Sequence, residues 1–358
     1  MNQEHTLKLL ESEKAKKLLG ELYGKAAVAE NQKRYEDLVG KFVKEFGEKD
    51  LYLFSSPGRT EISGNHTDHQ HGCVLAAAVD MQTDAEVRLN GTHLILIDSE
   101  GFQPVTVDLD DLSVHEDEKN TTASLVRGVA AAFQARGCKL QGFDAKISST
   151  VLPGSGLSSS AAFEVLIGRI LNGLFFENKL SAIEIAQIGQ YAENVYFGKP
   201  SGLMDQMASS VGGLVFIDFA DPKKPVVEKV DFDFAHCGHT LCIIDSHASH
   251  ADLTDEYAAI PVEMKKVAAF FGKEVLNDVD ESAFYASLPA LRASCGDRAV
   301  LRAMHYFEEN QRVRLLGDHL SDKRLDQRVA VRHHLAVALL DQIGEERAVI
   351  RQRRGDIV

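Results

Sequence analysis

Along residues 5–48, leucines at positions 7, 10, 18, 19 and 22 recur near the helical period, with charged residues filling the gaps. A second stretch of the same kind spans 32–46. The pattern predicts a helical N-terminal extension over residues 1–50 that carries no evident chemistry. From Leu51 the texture changes. Residues 51–54, 85–89, 93–97 and 105–109 read as short strands separated by turn residues, among them the hairpin-type pair Asn90-Gly91. A helix is predicted over 122–136. Phe143, Ala145 and Ile147 then alternate with Asp144, Lys146 and Ser148, the signature of a half-buried strand. A glycine- and serine-rich loop follows, and a helix starts near Ser159. Further helices are expected over 183–197 and 203–211, and strands over 214–219 and 240–244. The stretch 254–271 is helical apart from Pro261, 298–314 is helical, and so is much of the last forty residues. Mixed strands and helices with several hairpins argue for an α+β fold rather than a regular βαβ alternation. The pair Gly212-Gly213 suggests a lobe boundary, giving lobes 51–212 and 213–312 and a helical tail 313–358.

Composition narrows the function classes. The chain has 358 residues, enough for two lobes, and a formal net charge of -14. A surface that acidic repels phosphate backbones, so no nucleic-acid partner is expected. An anionic substrate needs a local counter-charge, such as a divalent cation or a helix N-terminus. The five cysteines, Cys73, Cys138, Cys237, Cys242 and Cys295, form no CxxC pair and read as reduced thiols. With neither a signal-peptide core nor an apolar run of spanning length, the expectation is a cytoplasmic protein without a membrane partner.

Three segments concentrate chemistry. Residues 152–162, LPGSGLSSSAA, link a strand to a helix. Glycines let backbone amides close on an anion, the helix N-terminus favours negative charge, and serine hydroxyls can bond phosphate or coordinate magnesium. No Walker lysine is present, and a flexible turn with a serine helix cap is the plainer alternative. Residues 57–72, PGRTEISGNHTDHQHG, pack Arg59, Glu61, Asn65, Asp68 and three histidines between apolar strands, a polar density suited to sugar hydroxyls. Rival readings are a metal site from His66, Asp68, His69 and His71, or an exposed polar turn. Residues 191–207, YAENVYFGKPSGLMDQM, carry Glu193 on one helix and Asp205 at the start of the next, one carboxylate for metal and one for base work. By itself, Asp205 reads first as a helix-start acid.

Taken together and in this order, the three segments resemble galactokinases of the GHMP kinase superfamily. Residues 58–69 follow the first family signature in outline, 153–161 follow the PxxxGLSSSA phosphate loop with one residue fewer before the glycine, and 202–206 follow GxMDQ. The resemblance runs from about Leu51 to about Asn310. It implies a two-lobed GHMP fold with the active site between the lobes, and ATP-dependent phosphorylation of a hexose, galactose first, at the anomeric hydroxyl. Position by position, it implies Asp205 as general base, with Arg59 beside it steadying the transferring phosphoryl group. Ser160 and Glu193 become magnesium ligands. Gly154, Ser155, Gly156, Leu157, Ser158, Ser159 and Ser160 become the ATP phosphate loop, and Ser99 a nucleotide contact. Asn65, His66, Thr67, Asp68, Gly202 and Tyr257 become sugar contacts. The expected ligands are thus ATP, Mg2+ and a small sugar, on a monomer. Two positions depart from the family. Asn65 stands where it usually has Glu, and Glu61 where it usually has Asn. The tail 313–358 also lacks the third, glycine-rich signature, which implies an incomplete or altered C-terminal lobe. That departure keeps open a catalytically weak sugar- and ATP-binding sensor, or a kinase for a related sugar.

Overall fold

The computed structural model describes residues 3–47, 50–151, 154–232, 239–243, 254–321 and 348–352. The described residues form two compact units that interleave along the chain. One takes its residues from 1–58, 79–153 and 157–211, the other from 59–78, 154–156 and 212–358. The break at Gly212 is thus one of several crossings, and the polar segment from Arg59 onward belongs with the second unit.

The first unit opens with three helices, α1 (Gln3–Leu10), α2 (Glu13–Tyr23) and α3 (Val28–Phe46). Ser12 caps α2 by accepting from the amide of Ala15 at 3.2 Å. The helical face predicted for this stretch is the buried one. Leu10, Leu19, Tyr35, Leu38, Val39 and Phe42 close a small core with Leu51. Arg34 of α3 pairs with buried Asp84, so the extension is tied to the sheet by charge as well as by packing.

Five strands follow: β1 (Tyr52–Ser63), β2 (Cys73–Leu89), β3 (Leu94–Ser99), β4 (Val105–Asp108) and β5 (Phe143–Ser149). β1 does not stop at Phe54, as its composition suggests, but runs on through Pro57 and Arg59 while pairing with β2. Sheet pairing overrides local turn propensity there. The hairpin expected at Asn90-Gly91 does not form either. β5 lies between β2 and β3, antiparallel to the first with Val87 opposite Ala145, and parallel to the second with Ile97 opposite Ala145. Asn90 instead bonds the carbonyl of Leu94 at 3.0 Å and Asp144 at 2.8 Å, bracing the longer connection.

Helices α4 (Thr122–Ala135) and α5 (Ser159–Phe175) cover this sheet. Their residues Val126, Phe133, Ile167 and Leu171 bury against Val87, Ile95, Phe143 and Ala145. Each such side chain contributes about 1.5–3 kcal/mol when fully buried, which makes the sheet-helix layer a rigid base for the loop preceding α5. Helix α6 (Ala182–Tyr191) starts in a capping box between Ser181 and Glu184. The single helix expected to continue to residue 197 changes winding, and Ala192–Phe197 form a π-helical turn that closes at Gly198. Helix α7 (Met204–Val211) completes the unit.

In the second unit the first half of β2 pairs with β6 (Leu214–Asp218), and β6 pairs with β7 (Val226–Val230), a polar strand that local pattern does not reveal. β8 (His239–Ile243) pairs with β9 (Ala348–Gln352), so this part of the expected helical tail is a strand. Helix α8 (Thr254–Phe270) runs through Pro261 rather than breaking there. With α9 (Glu281–Ala286), α10 (Leu288–Cys295) and α11 (Asp297–Ser321) it encloses a core of Met264, Val267, Phe284, Leu291, Ala303 and Tyr306. α11 crosses the expected tail boundary without interruption. Val313 and Leu316 bury beside Ile62, Leu75 and Leu214. The remaining tail positions, 322–347 and 353–358, lie outside the described residues. Among the described residues, no helix is long and apolar enough to cross a membrane.

Candidate active site

The glycine-serine loop leaves β5 and enters α5. Leu152 and Pro153 lie outside the described residues. Gly154 and Gly156 have φ of 74° and 77°, and Ser158 sits in the left-handed region with φ 55° and ψ 64°. This backbone turns the chain sharply into the helix. Ser158 occupies the N-cap position, but its hydroxyl makes no capping bond. It donates instead to Oδ2 of Asp205. The start of a 17-residue helix is therefore left without a side-chain cap, the condition under which amide groups and the helix dipole serve an anion.

Gly58 is required where β1 passes this loop. A Cβ there would stand 3.0 Å from the carbonyl oxygen of Leu157 and 3.1 Å from a methyl of Val151. The next residue, Arg59, donates from Nη1 to the carbonyl of Gly156 at 2.6 Å. A guanidinium is thus held against the loop's own backbone, with further donors on the same planar group.

Asp205 lies in the first turn of α7, where the dipole favours a carboxylate. Its neighbour Gln206 is buried and bridges two acids. The Gln206 amide nitrogen donates to Glu164 at 2.9 Å and to Glu193 at 2.8 Å. Glu193 stands in the π turn, a winding often found at functional sites. Ser201 donates to the same Glu193 oxygen at 2.6 Å, and Lys199 donates to the other at 3.1 Å. Burial opposes the charge of Lys199, but Glu193, Asp205 and Glu164 together outweigh it and raise the lysine pKa. Glu164 is 1% exposed, and one of its oxygens has no partner. Burial, reinforced by Glu193, holds its carboxyl well above the ordinary range. Glu164 was not singled out from the sequence. Its signal is a glutamate inside the apolar run AAFEVLIG, one helical turn after Ser160.

The donor set for a magnesium ion can be tested on these contacts. Ser160 and Glu193 offer hard oxygens of the kind that ion takes. A carboxylate has about four lone-pair sites, and Glu193 spends three of them on Lys199, Ser201 and Gln206. One further contact fits. Among the described residues, no group of three or more His, Cys, Asp or Glu is arranged to hold a metal. A magnesium ion held by these residues would draw the rest of its shell from phosphate oxygens and water. The same finding leaves His66, Asp68, His69 and His71 ungathered as a metal site.

In the second unit, the polar segment turns between β1 and β2. Asn65, His66 and Asp68 are half-buried, and the rings of His66 and His69 stack with centroids 6.3 Å apart. Asp68 accepts from the amide of His69 at 2.8 Å. Thr67 departs from its expected role as a sugar contact. It is fully buried, and its hydroxyl faces the carbonyls of Gly64 at 2.8 Å and Cys73 at 2.6 Å, so it braces the turn from inside. Gly202 is half-buried just before α7. Ser99 ends β3, and its carbonyl accepts from Phe102 at 3.0 Å. Tyr257 belongs to α8, and its side chain lies outside the described residues.

Comparison with known proteins bears on this arrangement. The family of GHMP kinases N terminal domains matches residues 124–213, and the galactokinase galactose-binding signature matches residues 40–89. A galactokinase of Streptomyces coelicolor is 33% identical over 283 residues, covering 77% of this chain and 70% of that protein. One from Actinobacillus pleuropneumoniae serotype 3 is 33% identical over 280 residues, covering 76% and 70%. The chain belongs to the galactokinase family. The crystal structure of Lactococcus lactis galactokinase complexed with galactose superposes with a TM-score of 0.74 at 24% identity, covering 87% of this chain and 80% of that one. The α+β architecture is thus the GHMP kinase fold, and the chain is a sugar kinase.

Proposed function

We propose that this sugar kinase transfers the γ-phosphoryl group of ATP to the anomeric hydroxyl of galactose. The observation that carries the reading is the bond from Ser158 to Asp205, which sets the candidate base at the open N-terminus of the anion-binding helix. Galactose is favoured by the signature matched over residues 40–89, and by the relative whose structure holds that sugar.

Phosphoryl transfer depends on positioning and charge stabilisation more than on covalent help. Asp205 accepts the proton of the attacking hydroxyl. The α5 amides and the serines of the loop hold phosphate oxygens. Arg59, anchored on Gly156, steadies the charge of the transferring group. Asn65, His66 and Asp68 bind sugar hydroxyls. Ser160 and Glu193 would hold a magnesium ion, which when bound neutralises charge on the phosphates. The test is a panel of hexoses with ATP and magnesium, read by ADP release. Galactose-dependent release supports the reading, and release that ignores the sugar overturns it.

A further inference from the structure

The turn proposed to bind the sugar is held at both of its ends by side chains of one distant helix. Glu309 of α11 is 3% exposed and accepts two bonds at a single oxygen, from the hydroxyl of Ser63 and from the amide of Gly64, both at 2.6 Å. Its second oxygen pairs with Arg312, one turn further along the helix. One turn earlier, His305 bonds through Nε2 to the carbonyl of Asn65 at 3.0 Å. Asn310 accepts from the amide of Cys73 at 2.7 Å, at the other end of the turn. The backbone at both ends is thus fixed by side chains of consecutive turns of α11.

The turn itself leaves no slack for an alternative. Gly64 has φ 116°, and a Cβ there would stand 2.7 Å from the Cα of Val74. At Gly72 a Cβ would stand 2.8 Å from Thr67 and 2.9 Å from the ring of Tyr306. A backbone this tightly apposed keeps its path only while the amide of Gly64 has a buried acceptor. An amide buried without one costs about as much as a lost hydrogen bond.

We propose that Glu309 is a positioning residue for sugar recognition. Its carboxylate fixes Ser63 and Gly64, and so sets where Asn65, His66 and Asp68 stand. The inference rests on the sugar-binding reading of those three residues. Its direct consequence is a defect confined to the sugar, because none of these contacts involves the glycine-serine loop.

The test compares Glu309→Ala, Glu309→Gln and Ser63→Ala with the parent, using galactose and ATP as probes. Readouts are the KM for each substrate, galactose titration by calorimetry, and amide exchange across residues 64–73. Glu309→Ala should weaken galactose roughly ten- to hundredfold, leave the KM for ATP unchanged, and speed exchange at residues 64–73. Glu309→Gln keeps an acceptor oxygen and should recover most of that loss. Ser63→Ala removes one donor, leaves the carboxylate in place, and should weaken galactose several-fold; it carries the test if Glu309→Ala does not fold. Equal rises in both KM values, or unchanged galactose affinity in a folded Glu309→Ala and in Ser63→Ala, would overturn the positioning role. A parent that binds no hexose while residues 64–73 still exchange slowly would instead overturn the sugar reading, and the inference with it.

Discussion

The hydroxyl of Ser158 donates to the carboxylate of Asp205, joining the start of α5 to the start of α7 across 47 positions of sequence. Two helix N-termini, one suited to phosphate and one carrying an acid, thus share a hydrogen bond. If Asp205 is the general base, Asp205→Asn keeps shape and an acceptor for Ser158 but cannot take the proton. Turnover should fall by roughly 10²–10⁴-fold while sugar and ATP still bind. A helix-start carboxylate without a chemical role would show only a stability loss of about 0.3–1 kcal/mol. Measuring turnover and melting temperature side by side distinguishes the two, and normal turnover in the variant would refute the assignment.

If Glu193 holds magnesium, turnover depends on that ion. The Glu193 carboxylate is buried and committed to Lys199, Ser201 and Gln206, with one lone-pair site left. ADP release should fall to background when the divalent ion is chelated and return when it is restored. Glu193→Gln replaces one carboxylate oxygen by a nitrogen that cannot ligate a hard cation. The magnesium concentration for half-maximal rate should rise about tenfold or more, with little change in the KM for sugar. Full rate under chelation would remove Glu193 and Ser160 from consideration as ligands.

The layout of this site was only partly legible in the chain. The Gly-Ser run betrays a helix start because its conformational needs are local, and α5 does begin at Ser159. The α+β class followed from equally local alternation, such as that of Phe143 to Ser148. What remained hidden depends on partners far away. Nothing near Glu309 marks it as an acceptor for Ser63, 246 positions earlier. Asn90-Gly91 has the composition of a hairpin, yet β5 inserts between the two strands it would join. Thr67 looks like its polar neighbours, and only the closure of the turn reveals that its hydroxyl points inward. Pro261 costs a helix one hydrogen bond, and the packing of α8 on α10 and α11 absorbs it.

Asn65 offers a gain of function. Its carbonyl is held by His305, so its side chain is presented from a fixed backbone. Galactokinases usually carry Glu at this position. An amide accepts a sugar hydroxyl bond, but a carboxylate makes a charge-assisted one about twice as strong. Asn65→Glu should tighten galactose by roughly fivefold, the equivalent of about 1 kcal/mol, without altering ATP affinity. Calorimetric titration of both ligands checks this. Unchanged galactose affinity would take the Asn65 side chain out of the sugar site.

Glu86 makes a prediction about stability rather than chemistry. It lies on β2, fully buried, and neither carboxylate oxygen has a hydrogen-bond partner. Burial pushes its carboxyl up from 4.5 to about 8, and Asp84 on the same strand adds to the rise. Lys41 of α3 and Lys146 of β5 offset part of it. Because the folded pKa exceeds the unfolded one, the folded state binds the extra proton. The stabilising contribution is complete below about pH 4.5, shrinks as pH rises toward 8, and is gone above that. The slope in that window is at most about 1.4 kcal/mol per pH unit. Glu164 pulls in the same direction, so the parent alone cannot separate the two acids. Glu86→Gln removes one of them while keeping size and neutrality. Its melting temperature should approach or trail that of the parent near pH 5 and move ahead progressively up to pH 8. A difference between variant and parent that stays constant from pH 5 to 8 would mean that Glu86 does not carry a proton in the folded state.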